Sequence, residues 1–282
     1  LTKEGTQKEI KAKLFILAAQ AVESSRLLLN SKNKEFPDGL ANSSGAVGKN
    51  MLFTGGGMGS GEFDLSHFSQ ETLLQSGLFV NRALKDWYFT KEFKGGVVDF
   101  LFEHPNPIRR ANSLKREDGK LLFGKALQDK IFQTFTTTRT LSFEVFTDWM
   151  PNDNCFVSVD ENYQDKYGIP VANIRIGAHP QDVKVGEFLA QKALKVLEKM
   201  EAKNITYDIS PLPSQNLQAG GCRFGDDPKK HVLNRYCQSY DHPNLFVTDG
   251  SFMPTGGSVP YTWTIYANAF RVAHYIRDNI RI

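Results

Sequence analysis

The chain has 282 residues, 40% apolar, 23% charged and 12% aromatic, with a formal charge of +3 from 34 bases and 31 acids. That length fits about two domains at roughly 150 residues each, and the composition excludes a disordered tail, a collagen or a disulfide-stapled miniprotein. No strongly basic run marks a nucleic-acid surface, and no run of about 18 apolar residues marks a membrane span.

The chain opens Leu1-Thr2-Lys3-Glu4-Gly5, without Met or an apolar leader, and reads as processed or incomplete. Cys155, Cys222 and Cys237 are odd in number, far apart and form no C-x-x-C pair. Neither a disulfide framework nor a metal site is expected.

The run Leu14-Phe15-Ile16-Leu17-Ala18-Ala19 predicts a fully buried strand. A tight turn at Ala18-Ala19-Gln20 then feeds a helix over about 22–30, as in units of parallel sheets. Gly39 to Gly45 is loop chemistry. Gly55-Gly56-Gly57-Met58-Gly59-Ser60-Gly61 does not fit the phosphate-binding spacing G-x-G-x-x-G and reads as a flexible or close-packing loop.

The middle is β-rich, with apolar or alternating runs at 96–102, 140–147 and 155–159. In Leu141-Ser142-Phe143-Glu144-Val145 the alternation is strict, which predicts an antiparallel strand with one wet face. A long helix over about 182–202 carries the stripe Val185, Leu189, Ala193, Val196 and Met200. Asn244 to Gly250 predicts a short buried strand, and Thr262 or Thr264 is expected to cap a last helix with the stripe Ile265, Ala269, Val272, Ile276 and Ile280. The fold class is therefore α/β at both ends of the chain, interrupted by an antiparallel middle.

Three stretches carry a family resemblance. Gly220-Gly221-Cys222-Arg223 precedes Asn244-Leu245-Phe246-Val247-Thr248-Asp249-Gly250-Ser251 and then Pro254-Thr255-Gly256-Gly257. This resembles the C-terminal signature of glucose-methanol-choline (GMC) flavoprotein oxidoreductases. Leu17 to Leu28 and Gly39 to Asn50 look like the strand, helix and loop that close the FAD domain of that family. Pro151-Asn152-Asp153-Asn154, Asp165, Gly168 and Pro170 are similar to the substrate-domain pattern of the gluconate-dehydrogenase and glucoside-3-dehydrogenase branch.

The resemblance implies part of a Rossmann-like FAD-binding domain over 1–58 and 206–282, interrupted by an antiparallel-sheet substrate domain over 59–205. It implies FAD as cofactor and oxidation of an alcohol on a sugar, glycoside or polyol, with hydride passing to the flavin. Cofactor contacts are implied at Ala18, Ala19, Asp249, Gly250, Pro260, Tyr261 and Thr262. The residues expected at the substrate are Asn216, Leu217, Gln218 and Tyr261.

The chain departs from the family in three places. The N-terminal half with its G-x-G-x-x-G fingerprint is absent, so that half is another chain, or was removed or lies outside this sequence, or this chain does not hold FAD alone. The family's catalytic His position falls on Leu217, which accepts no proton, and its His/Asn partner falls on Pro260, which offers no side-chain donor or acceptor. The catalytic base is therefore unassigned; His231 and His242 lie near the signature, where surface or structural roles are expected. The alternative readings are a degenerate GMC-like subunit serving as scaffold or carbohydrate-binding partner, and a flavin-free binding module. An electron-transfer subunit is an implied partner, and the branch leaves the compartment open between bacterial periplasm and cytoplasm.

Overall fold

A computed structural model describes residues 8–69, 71, 80–102, 106–177, 179–212 and 216–280. Its first elements are β1 (Phe15–Leu17), α1 (Ala21–Asn30), β2 (Gly56–Asp64), β3 (Val80–Leu84), β4 (Gly96–Leu101) and α2 (Pro107–Ser113). There follow β5 (Arg116–Glu117), β6 (Lys120–Leu121), α3 (Gly124–Thr136), β7 (Thr138–Thr147), β8 (Phe156–Gln164) and β9 (Pro170–Arg175). The chain closes with α4 (Pro180–Lys199), β10 (Lys203–Ile209), β11 (Leu245–Val247) and α5 (Thr262–Asn279).

The chain forms two compact units. Unit 1 comprises Leu1–Gly55, Asp148–Asp182 and Pro211–Ile282; unit 2 comprises Gly56–Thr147 and Val183–Ser210. The middle block expected over 59–205 is thus divided, and residues 148–182 cluster with unit 1. The reason is local. Arg26 of α1 donates to the Pro170 carbonyl at 2.7 Å and to Asp165 Oδ2 at 2.7 Å, which ties the β8–β9 hairpin to that helix. Asp165 and Gly168, expected in the substrate domain, lie in the turn of this hairpin, and Pro170, expected there too, opens β9.

In unit 1, β1 pairs in parallel with β11, Ile16 opposite Phe246. Phe246 and Val247 are fully buried, but Phe15 and Ile16 are 45% and 57% exposed. The expected buried strand is therefore covered on one side only, because its sheet has two strands among the described residues. The main core of the unit gathers Leu28, Leu52, Trp149, Leu233, Phe246 and Val272.

Unit 2 is an antiparallel sheet in the order β10-β2-β7-β4-β3. Val98, Phe100, Phe143 and Val145 on one face pack with Val185, Leu189 and Ala193 of α4, the stripe read from the sequence. Met200, assigned to the same stripe, falls beyond the helix and is exposed. The glycine run expected as a loop is strand β2. A Cβ on Gly59 would lie 2.4 Å from the Phe143 ring, so the glycines let the aromatic core reach the backbone.

Candidate functional site

The turn from β1 to α1 sets the site in unit 1. Gln20 has φ of 80°, a left-handed conformation rare for a side-chain-bearing residue, and caps α1 by accepting the Val22 N–H at 2.9 Å. Its own N–H donates to Asp249 Oδ2 at 3.1 Å. The Ser24 hydroxyl donates to the same oxygen. The Ser251 N–H and hydroxyl donate to Asp249 Oδ1 at 2.8 and 2.5 Å. Asp249 is buried, so these four bonds satisfy both oxygens of a desolvated carboxylate.

The neighbouring segments converge on this carboxylate. The Gln20 side-chain amide donates to Gln218 Oε1. Gly220 donates its N–H to the Gly250 carbonyl at 3.0 Å. A Cβ on Gly250 would lie 3.2 Å from the Gln218 carbonyl and 3.1 Å from Ile265 of α5, so these three segments meet closely at the glycine. Cys222 lies at the base of the corner. Burial and the charge of Asp249 push its thiol up to about 12, which makes it an inert packing group.

The structure thus brings together Ala18, Ala19, Gln218, Asp249 and Gly250. Ala18 and Ala19 are exposed beside the turn. Leu217, with φ of 52°, packs against the apolar core, while Asn216 is exposed. Tyr261 turns its side chain inward at 5% exposure, and burial raises its phenol far above the ordinary value. Its hydroxyl is buried beside that of Thr54, which opposes the rise. Pro260 and Thr262 are exposed at the start of α5. The expected Thr cap is absent: Tyr261 occupies the N-cap, no side chain caps the helix, and Thr262 is its first residue. The first N–H groups of α5 therefore remain open to an oxygen-bearing ligand.

The histidines near the signature have structural places. His231 Nδ1 lies 3.0 Å from the Asp227 carbonyl, and the His242 ring stands edge-on to Phe36 with centroids 4.6 Å apart. His104 lies outside the described residues. Among the described residues no group of His, Cys, Asp and Glu forms a metal site. No described helix is long and apolar enough to cross a membrane.

The open face of the sheet in unit 2 carries a row the sequence reading did not single out. Asp208, Met58, Glu144 and Asp99 lie directly opposite one another across β10, β2, β7 and β4. Burial raises both the Asp99 and Glu144 carboxyls above the ordinary range, and the Asp99 charge raises Glu144 further. Beside this row Ser60, Thr206, Ser142 and Leu101 line a groove of about 490 Å³. The sequence signal was the alternation at 141–145; the cross-strand register that completes the row is not visible in one strand.

A parallel strand, a tight turn, a capped helix and an acidic strand end are the parts of a nucleotide-cofactor corner. Residues 151–269 match the family described as GMC oxidoreductase. Over those residues the chain is the C-terminal domain of a GMC oxidoreductase. It is 30% identical over 279 residues to the 2-methyl-1,2-propanediol dehydrogenase of Mycolicibacterium austroafricanum, covering 98% of this chain and 50% of that protein. It is 25% identical over 270 residues to the fructose dehydrogenase large subunit of Gluconobacter japonicus, covering 96% of this chain and 48% of that one. The fold is similar to a formate oxidase of Aspergillus oryzae, in a structure addressing its FAD modification. There the TM-score is 0.62 at 12% identity, over 95% of this chain and 54% of the other. The chain spans about half the length of the curated relatives it matches.

Proposed function

We propose that this chain is the C-terminal half of an FAD-dependent GMC oxidoreductase that oxidises an alcohol on a sugar, glycoside or polyol. The observation that carries the reading is the corner in unit 1, where Asp249 binds the Ala18–Gln20 turn to the Gly250 strand end. The residues present suit a flavin dinucleotide. Small side chains at Ala18 and Ala19 admit close approach of a ligand, and α5 begins without a side-chain cap. When bound, FAD supplies the hydride acceptor.

The chain's own residues bind and orient. Asp249 orders the turn through bonds to its own chain, rather than by offering a free oxygen. The open N-terminus of α5 holds developing negative charge at its N–H groups. Asn216 and Gln218 present amide groups suited to substrate hydroxyls. The relatives' names, a diol dehydrogenase and a fructose dehydrogenase large subunit, support a polyol substrate class. The second name also supports a multi-subunit setting.

A second reading is favoured by Leu217 and Pro260, which leave both positions of the family's proton-handling pair without a titratable group. On this reading the protein keeps the fold and the flavin corner and does not turn over. One experiment separates the two. The chain is extended at its N-terminus to the length of its relatives, purified, and its visible flavin absorption is followed anaerobically as sugars and polyols are added. Bleaching of the oxidised band supports the enzyme. Flavin that no alcohol bleaches supports the degenerate subunit, and protein without flavin overturns both.

A further inference from the structure

In unit 2, helix α2, the β5–β6 hairpin and α3 contain no buried residue. Two contacts help to join them: the Arg110 guanidinium lies 4.3 Å from the centre of the Phe135 ring, and Lys130 pairs with Glu117. Residues 107–136 hold seven Lys and Arg against three Asp and Glu, a net charge of +4, whereas the whole chain carries +3. The apolar surface of this block centres on the run Lys120-Leu121-Leu122-Phe123-Gly124-Lys125. Leu121 is 58% exposed and Phe123 77%. Apolar residues scattered singly on a surface need no explanation, but a run of them does.

The hairpin surrounds that run with cations. Its chain reverses at Asp118-Gly119, where φ is 47° and 77°, the left-handed pair of a two-residue turn. The register sets Arg116 opposite Leu121, and Leu122 donates its N–H to the Lys115 carbonyl at 2.8 Å. Lys115, Arg116, Lys120 and Lys125, all exposed, therefore frame the apolar run. Of the three acids, Glu117 pairs with Lys130 and Asp129 with Lys125. Among the described residues Lys115, Arg116, Lys120 and Asp118 have no ion pair, which leaves cations in excess beside the run. Phe123 occupies the N-cap of α3 and makes no cap bond there. Ser, Thr, Asp or Asn serves a helix start better, so the aromatic ring does nothing for the helix.

We propose that this block is a peripheral contact with an anionic membrane surface, in which Leu121 and Phe123 enter the acyl boundary while Lys115, Arg116 and Lys120 meet lipid phosphates. The charge selects this occupant. A second copy would bring two blocks of +4 together, which is repulsive. A protein partner would have to offer carboxylates in a fixed arrangement and a pocket for each apolar side chain. A bilayer needs neither, because its headgroups and acyl chains adapt to the side chains they receive. Lysine suits the rim, since its apolar stem follows the ring inward while its ammonium stays at the headgroups. The proposal rests on unit 2 alone and stands whether or not the chain binds a flavin.

The test is sedimentation of the 282-residue chain with vesicles of phosphatidylcholine alone and of phosphatidylcholine mixed with phosphatidylglycerol. At about 0.1 M salt, binding to the mixed vesicles is expected to be at least about tenfold tighter than to phosphatidylcholine, and to weaken at about 0.5 M. Lys115→Gln combined with Lys120→Gln is expected to weaken it by about twentyfold. Phe123→Ser, which adds no charge and supplies a favoured helix cap, is expected to weaken it by about fivefold. In Phe123→Trp, the emission in excess of the parent's should move to shorter wavelength on the mixed vesicles and be quenched by brominated acyl chains. No binding to the mixed vesicles overturns the proposal and leaves an acidic protein as the partner class. Equal binding to both vesicles overturns it as well, because the basic rim then plays no part. Binding that Phe123→Ser leaves unchanged, with no emission shift in Phe123→Trp, also overturns it, because no side chain then enters the bilayer.

Discussion

Asp249 shows how one side chain sets a site through bonds to its own chain. Ser24 and Ser251, two of its partners, are wholly buried, so water cannot replace the carboxylate. Asp249→Ala is expected to cost about 3 kcal/mol, from buried donors left unsatisfied. Urea unfolding measures this, and a loss under about 1 kcal/mol would show that the corner is held by something else. Gly221 makes a second residue-scale case. Its φ is 90°, and a Cβ there would lie 2.4 Å from Ser25 Oγ and 2.7 Å from the Met51 sulfur. Gly221→Ala should cost about 1–3 kcal/mol. Gly45, at φ of 63°, has nothing nearer than Lys49 Nζ at 4.0 Å. Gly45→Ala should therefore cost less, about 1 kcal/mol, from the backbone alone.

At the scale of elements, the sequence showed what periodicity can show. The stripe Val185-Leu189-Ala193 and the alternation at 141–145 each record one face buried against one partner, and both elements stand where they were read. The glycine run at 55–61 carried no such record, since β2 is recognised only by its pairing with β7 and by the Phe143 ring that occupies the missing Cβ space. Gly59→Val should therefore lower stability by about 1–3 kcal/mol through overpacking, while Gly119→Ala, which meets nothing within 4 Å but has φ of 77°, should cost only about 1 kcal/mol from the backbone. The corner residues Asp249 and Gly250 were legible from their motif; the orientation of Tyr261 was not, because a residue beside a site can equally face the core. That hairpin β8–β9 clusters with unit 1 was not legible for a similar reason, since it rests on long-range bonds such as the fork of Arg26, the Asn30 amide to the Pro170 carbonyl and the Val157 N–H to the Gly48 carbonyl. The same fork predicts a pH effect. The Arg26 bond, with the Ile169 and Tyr167 N–H groups, holds Asp165 below its ordinary 3.8. Its contribution is present above that value and is lost as pH falls through the lower, folded one. In Arg26→Lys, which lacks the planar fork, exchange protection of 156–175 should drop at neutral pH and change less on acidification. Equal protection in parent and variant would remove Arg26 as a tether of the hairpin.

At the scale of the whole molecule, the exposed apolar residues are the telling feature. Phe15 and Ile16 lie bare on a two-stranded parallel sheet, and Trp263, Tyr266 and Phe270 are 81%, 56% and 71% exposed on α5. Parallel strands are ordinarily covered on both faces, and a two-stranded sheet is marginal alone. Relatives about twice this length supply further chain, and covering these residues would remove apolar surface from water at about 25 cal/mol per Å². The chain extended at its N-terminus to that length should therefore unfold at a higher temperature than the 282-residue chain. It should also bind less of a hydrophobic dye such as ANS. Flavin should stabilise the extended form further, in proportion to the logarithm of its free concentration over its dissociation constant. In Ile16→Asp the dye binding of the short chain should fall, while the extended chain should lose stability, because the same side chain is wet in one and buried in the other. If Ile16→Asp leaves both forms equally stable, the strand is not covered in the longer protein. The corner around Asp249 would then have to be complete with β1 and β11 alone among the strands described.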